Sequence, residues 1–220
     1  MGVELPRAEI EQVAGPMTED QVRQLAVYMQ KLAADAEKMS LISRNELPNL
    51  GRHVLDAAAV LAFRELPDGG VADLGTGGGL PGVVLSILRP KVRVTLIDSR
   101  RSKIVFLKSA QRLVGLDNME IVHARLEDLA GVRSFPLAVA RALGRLDRVL
   151  EMSLAVVEPG GSLVLYKGPR WSEEGEQAAV IAKRSGAVIE RVEGVELPGT
   201  DRTTTFVEFR VGSVSRGTAA

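Results

Sequence analysis

Seven residues stand out in this sequence for chemistry by type and spacing: Asp73, Gly75, Gly77, Gly78, Gly79, Gly82 and Asp98. Six of them fall in the stretch from Val71 to Gly82, Val-Ala-Asp-Leu-Gly-Thr-Gly-Gly-Gly-Leu-Pro-Gly. It reads as a short apolar strand that breaks into a glycine-rich turn and then enters a helix. The glycines remove side chains where a ligand could approach the backbone, and they permit positive φ in a tight turn. Pro81 suits the first turn of a helix, where its missing N–H is no loss. A strand, a glycine loop and a helix N-terminus together form a site for a nucleotide or another adenosine-bearing cofactor.

Two cofactors compete for that loop. Residues 77–82 match G-x-G-x-x-G, and Asp98 follows about 20 residues on, as in dinucleotide sites. S-adenosylmethionine is the rival, because its sites also combine a glycine turn after the first strand with an acid after the second, which can hold ribose hydroxyls. Asp73 separates the two. A carboxylate just before Gly75 would repel a pyrophosphate, whereas it would attract a sulfonium and an ammonium. An NAD-dependent oxidoreductase would also offer a catalytic His, or a Tyr and Lys four apart. The histidines are His53 and His123, and neither Tyr28 nor Tyr166 has a Lys at that spacing. These residues favour a methyltransferase over a dehydrogenase.

Basic side chains supply the second candidate surface. Between Arg89 and Arg112 lie Lys91, Arg93, Arg100, Arg101, Lys103 and Lys108, with Asp98 the only acid. Arg141, Arg145 and Arg148 follow the expected fourth strand, and Lys167 and Arg170 the fifth, at the edge where ligands of such folds sit. Position there assigns Arg101, Lys103, Arg145, Lys167 and Arg170 to phosphate binding, which salt would weaken. Arg89, Lys91, Arg93 and Arg112 read as solvated helix or strand faces. His53 either touches RNA or packs within the N-terminal helices, with Asp56 three residues on to orient it. His123 reads as structural, and Trp171 as a base-stacking residue or a surface plug.

The elements that must position these residues alternate. A helix is expected over 18–39, opened by a capping-box-like Thr18-Glu-Asp-Gln21, and another over 50–63, with 1–17 irregular. Strands are expected over 71–74, 92–97, 119–122, 137–140, 162–166, 187–197 and 203–211, with helices at 81–88, 101–114, 146–157 and 173–185 between them. Pro159-Gly160-Gly161 reads as a turn. Repeated βα units imply a mostly parallel sheet with helices on both faces, and the last two strands form an antiparallel hairpin. Residues 1–66 form an N-terminal helical cap, 67–212 the α/β domain, and 213–220 a polar tail.

Composition fits a soluble globular protein: 45% of residues are hydrophobic and the formal net charge is zero, so any nucleic-acid footprint must be local. There are no cysteines, which removes disulfides, thiolate metal sites and a Cys nucleophile. No apolar run approaches the ~20 residues that span a bilayer. A cytoplasmic protein without membrane or metal is expected.

The segment Asp73-Leu-Gly-Thr-Gly-Gly-Gly-Leu-Pro-Gly82, with Arg89-Pro90 and Leu96-Ile-Asp-Ser99 beyond it, resembles the ribosomal RNA small-subunit methyltransferase G (GidB) family. His53-Val-Leu-Asp56, Ala140-Arg-Ala142 and Tyr166-Lys-Gly168 fall where that family has similar elements. The resemblance implies a Rossmann-like class I S-adenosylmethionine-dependent methyltransferase with a seven-stranded sheet. It implies methylation at N7 of a guanosine in 16S rRNA or the small ribosomal subunit; a monomer is expected. Cofactor contacts would carry onto Gly75, Leu80, Asp98, Leu126, Glu127 and Arg141; Asp73, Gly77, Gly79 and Ser99 complete the set from the reading above. Where the family has Trp-Asn, Asn-Leu-Thr and Ser, this chain has Ala34-Asp35, Ser40-Leu41-Ile42 and Ala57, departures expected to leave cofactor binding untouched. N7 carries an in-plane lone pair and no proton, so no general base is needed and orientation suffices. No residue is therefore assigned as an acid–base catalyst; Arg141, Lys167 and His53 are candidates for positioning. A protein with this fold that binds RNA without catalysis is the remaining alternative.

Overall fold

A computed structural model describes residues 4–141, 146–168 and 171–213, without the side chains of 146–148. Arg145, Arg170 and the expected tail from 214 onward lie outside the described residues, as does the side chain of Arg148.

The segment expected to be irregular contains α1 (Arg7–Ala14). Pro6 can precede a first turn at no hydrogen-bond cost, Ile10, Val13 and Ala14 share one buried face, and Arg7 pairs with Glu11 one turn on. In α2 (Glu19–Asp35) the capping box is complete: Thr18 Oγ1 accepts from the Gln21 amide and the Thr18 amide donates to Gln21 Oε1. The helix stops at Asp35, and residues 36–40 continue as turns that end with Ser40 at φ +50°. A 3₁₀ turn (Arg44–Asn49) leads into α3 (Leu50–Ala58) and α4 (Val60–Phe63). The expected single helix 50–63 is broken at Ala59, where the amide bonds to both Leu55 and Asp56 carbonyls and the coil tightens.

From β1 (Val71–Leu74) the alternation holds: α5 (Gly82–Leu88), β2 (Val94–Asp98), α6 (Arg101–Val114) and β3 (Met119–His123). Then come α7 (Leu126–Leu129), β4 (Phe135–Arg141), α8 (Leu146–Leu154), β5 (Val157–Lys167), α9 (Trp171–Arg184), β6 (Ala187–Glu196) and β7 (Thr203–Val211). The expected turn at Pro159-Gly160-Gly161 lies inside β5. Gly160, at φ +79°, absorbs the irregularity where the β4–β5 register shifts.

The seven strands order as β3-β2-β1-β4-β5-β7-β6. Pairs through β5 are parallel, while β7 runs antiparallel to both β5 and β6. The chain winds outward one way from β1 and the other way from β4, so a crevice opens at their carboxyl ends. Leu74 pairs with Ile97 on one side and Ala140 on the other, so Asp98 and Arg141 emerge on either flank of Gly75.

Side chains alternate across the sheet and fill two cores. Val71, Leu96 and Val139 join the N-terminal helices, α5 and α6 on one face; Ala72, Leu74 and Ala138 join α8 and α9 on the other. Asp73 therefore points to the face covered by α5 and the N-terminal helices.

Candidate cofactor and substrate site

The glycine loop is built around the Asp73 carboxylate. Asp73 is fully buried, and its Oδ2 accepts from Thr76 Oγ1 at 2.5 Å and from the Gly82 amide at 2.7 Å. The first bond closes the turn after β1, and the second caps α5. Oδ1 has no hydrogen-bond partner among the described residues. Burial pushes the Asp73 carboxyl up to about 6, against the pull of Thr76, Gly82 and the Arg141 charge.

The glycines divide by task. Gly77, at φ +56°, donates its amide to Asp98 Oδ2 at 3.0 Å, and a Cβ there would meet the Gly75 carbonyl oxygen at an ordinary 3.9 Å. Gly79 also meets a packing demand: at φ +94°, a Cβ would stand 2.5 Å from Val83 Cγ2. At Gly82 a Cβ would lie 2.7 Å from Asp73 Oδ2, so the close capping bond demands glycine. Leu80 is buried, packed into the core beneath the loop with 8% of its surface left exposed. Tyr28, from α2, is buried and donates to the Gly78 carbonyl at 2.7 Å, fixing the loop from below.

Asp98 and the β3–α7 connection form one flank. Asp98 Oδ1 accepts from the Arg100 amide at 2.8 Å, so each oxygen already holds one backbone donor. A carboxylate has about four lone-pair sites, which leaves room for hydroxyls. Ser99 is exposed, and its carbonyl accepts from His123 Nε2 at 3.0 Å, which gives His123 the structural role expected of it. Leu126 is buried and Glu127 exposed in the first turn of α7, beneath the same edge.

Arg141 forms the other flank and is held from the N-terminal helices. Its Nη1 donates to Asp56 Oδ2 at 2.7 Å and to the His53 carbonyl at 3.1 Å, while Nη2 stands 3.2 Å from His53 Nδ1. Asp56 thus orients Arg141 rather than His53, and its other oxygen accepts from Thr204 Oγ1 on β7. His53 Nε2 lies 2.9 Å from Glu46 Oε2. Burial, and then the Arg141 charge, hold the His53 imidazole below its ordinary value.

Two expected RNA contacts are placed otherwise. Lys103 is 2% exposed, and its Nζ donates to the Met39 carbonyl at 2.7 Å and to the Ser40 carbonyl. Burial pushes its ammonium down. It anchors the turns 36–40 against α6 and has no access to phosphate. Lys103→Met, which keeps the stem's volume, is expected to lower stability by about 1–2 kcal/mol through the lost charged donor, measured by denaturant unfolding. Lys167 pairs with Glu174 and lies 5.9 Å from the Trp171 ring. Trp171 is itself buried against Phe209, so it packs α9 onto the sheet and offers no face to a base. Of the described RNA candidates, Arg101 is the one that is exposed, and it forms no ion pair among the described residues.

The family model for rRNA small subunit methyltransferase G (GidB) matches residues 21–202. The chain belongs to that family. A relative named Ribosomal RNA small subunit methyltransferase G from a Nocardioides species is 43% identical over 149 residues, 67% of this chain but 59% of that protein. Another of that name, from Beutenbergia cavernae, is 35% identical over 182 residues, 82% of this chain and 85% of its own. Among solved structures, M. jannaschii TYW2 in complex with AdoMet superposes with a TM-score of 0.56 at 13% identity, over 77% of this chain and 76% of that one. That likeness concerns the fold: a class I methyltransferase sheet.

Against the family pattern, the departures at Ser40-Leu41-Ile42 are not remote from the cofactor loop. A Cβ on Gly78 would stand 3.5 Å from Leu41 Cβ, so this segment is the wall of the loop. Asp35 is engaged by Lys31 at 2.6 Å, and the buried Ala57 offers its carbonyl to Tyr166 Oη at 2.9 Å. Sequence alone weighs Tyr28 only as a dehydrogenase residue and gives Thr76 and Thr204 no role. Tyr28 lies on the buried face of α2 three residues after Leu25, and Asp73-x-x-Thr76 has the spacing of a side-chain-closed turn.

Proposed function

We propose that this protein transfers the methyl group of S-adenosylmethionine to N7 of a guanosine in 16S rRNA, with residues 1–66 as a cap on a methyltransferase domain, 67–212. The observation that carries the choice of cofactor is the Asp73 carboxylate seated in the N-terminus of α5 with one oxygen unpartnered among the described residues. A dinucleotide would place its pyrophosphate on that helix end, where Asp73 already takes the amide and would oppose the charge. A buried oxygen lacking a donor suits an ammonium instead.

In this reading Asp73 Oδ1 holds the amino group, Asp98 holds ribose hydroxyls, and Gly75, Gly77, Leu80 and Ser99 line the loop. Leu126 and Glu127 flank the adenine, and Arg141 takes an anionic group on the opposite side. The cofactor supplies an electrophilic methyl group. The protein's own part is orientation: N7 of guanine already has its lone pair in plane, so neither His53 nor Asp73 needs to remove a proton. Exposed Arg101, together with Arg145 and Arg170, would neutralise phosphates of the small subunit, and the protein would act in the cytoplasm as a monomer.

Transfer of a labelled methyl group to small subunits from cells lacking this protein, followed by mapping of the modified base, tests the proposal. Label at a guanine N7 is the expected result. Binding of S-adenosylhomocysteine without transfer to any subunit or RNA would favour the non-catalytic reading, and tight NAD binding without S-adenosylhomocysteine binding would overturn both.

A further inference from the structure

The cap contributes more than cover. Glu46, on the 3₁₀ turn before α3, directs one oxygen at three donors: His53 Nε2 at 2.9 Å, Arg52 Nη2 at 3.0 Å and Asn49 Nδ2 at 3.4 Å. The opposite nitrogen of the same imidazole faces Arg141 Nη2 at 3.2 Å. A guanidinium has donors and no acceptor, so His53 Nδ1 must carry a lone pair and the ring proton must sit on Nε2. The Nε2 proton then points at Glu46. We infer that Glu46 is a positioning residue: by accepting the Nε2 proton of His53 it selects the one imidazole form that can receive Arg141, and so fixes the guanidinium at the cofactor edge.

This rests on the reading of Arg141 as a cofactor-side residue. The charged groups facing His53 are Glu46 and Arg52 from the cap and Arg141 from β4, with Asp56 behind Arg141. Two errors of the ring would disturb Arg141. The other neutral form turns an N–H toward the guanidinium and a lone pair toward the carboxylate. The protonated form also turns an N–H toward Arg141 and adds like-charge repulsion. Burial and Arg141 disfavour the protonated ring, while Glu46 favours it. The carboxylate therefore carries out the selection at the cost of keeping His53 somewhat easier to protonate.

The chain has two histidines, His53 and His123, so nitrogen-15 spectra of the imidazoles resolve each ring, and His123 serves as the internal control. In the wild type at neutral pH the expected signature at His53 is a single neutral form protonated at Nε2. Glu46→Gln keeps an acceptor and removes the charge. It should retain that form, keep the methyl-transfer rate within about twofold, and move the His53 titration and the acid limb of the rate to lower pH. Glu46→Leu removes the acceptor; it should give mixed neutral forms and lower kcat or cofactor affinity roughly tenfold, with the fold intact by circular dichroism. A single Nε2–H form in the Leu variant, or a mixture with unchanged kinetics, would overturn the inference. A wild-type protein that transfers no methyl group would overturn the proposed function, while the nitrogen-15 spectra would still decide whether Glu46 sets the ring.

Discussion

Asp73→Asn is expected to weaken S-adenosylhomocysteine binding about 10- to 150-fold while leaving the fold in place. The side-chain carbonyl of Asn can still accept from Thr76 Oγ1 and the Gly82 amide, the two bonds that close the loop and cap α5. What it loses is the charge on Oδ1, which has no partner among the described residues. A charge-assisted bond from an ammonium is worth about 1.5–3 kcal/mol, hence the range in affinity at about 1.4 kcal/mol per tenfold. S-adenosylhomocysteine keeps the amino group and lacks the sulfonium, so calorimetry with it isolates this contact. A loss below threefold would place the ammonium elsewhere.

The pH dependence of the same group has opposite signs for stability and for binding. The Asp73 carboxyl is raised to about 6 in the folded protein, against about 3.9 for an unfolded aspartate. Between those values the folded state holds more protons, so this group's contribution to stability rises as pH falls. Cofactor affinity should fall over the same window, because protonation removes the anion, and binding should release a proton near pH 6. Both trends should vanish in the Asn variant. The wild-type-minus-variant difference removes His53, whose lowered titration acts on stability in the other direction.

Local pattern revealed the frame of this site, and distance in sequence hid its supports. The strand, the glycine loop and the acid at Asp98 were legible because alternation and spacing are properties of contiguous residues. The flanking of Gly75 by Asp98 and Arg141 follows once the parallel order is known. Lys103 was misread because an exposed helical lysine and one bonded to carbonyls 64 and 63 positions away have the same local sequence. The α1 signal was present at Ile10, Val13 and Ala14, but Pro6, Gly15 and Pro16 masked it as a breaker-rich stretch. The Pro159–Gly161 turn failed for a related reason: turn residues also permit an irregular stretch inside a strand, here where the β4–β5 register shifts and before β7 begins to pair at Ser162. The Arg141 node joins α3, β4 and β7 across 85 and 148 positions, and no spacing rule reaches that far.

Arg141→Ala should lower methyl transfer by roughly a hundredfold and also destabilise the protein, by about 1.5–3 kcal/mol. The second effect follows from Asp56. Without the guanidinium its carboxylate, 21% exposed, keeps Thr204 Oγ1 as its partner and loses the 2.7 Å charged bond. Partial solvent access places the cost toward the lower end. For a protein of this size it corresponds to a fall of about 3–10 °C in Tm. Activity and stability are separated by adding Asp56→Asn. The double variant removes the stranded charge and keeps an acceptor for Thr204, so much of the lost stability should return while methyl transfer stays low. If activity returned along with stability, Arg141 would be a strut between α3 and the sheet. Persistent loss of transfer at restored Tm, with weaker S-adenosylhomocysteine binding by calorimetry, would place its guanidinium on the reacting side.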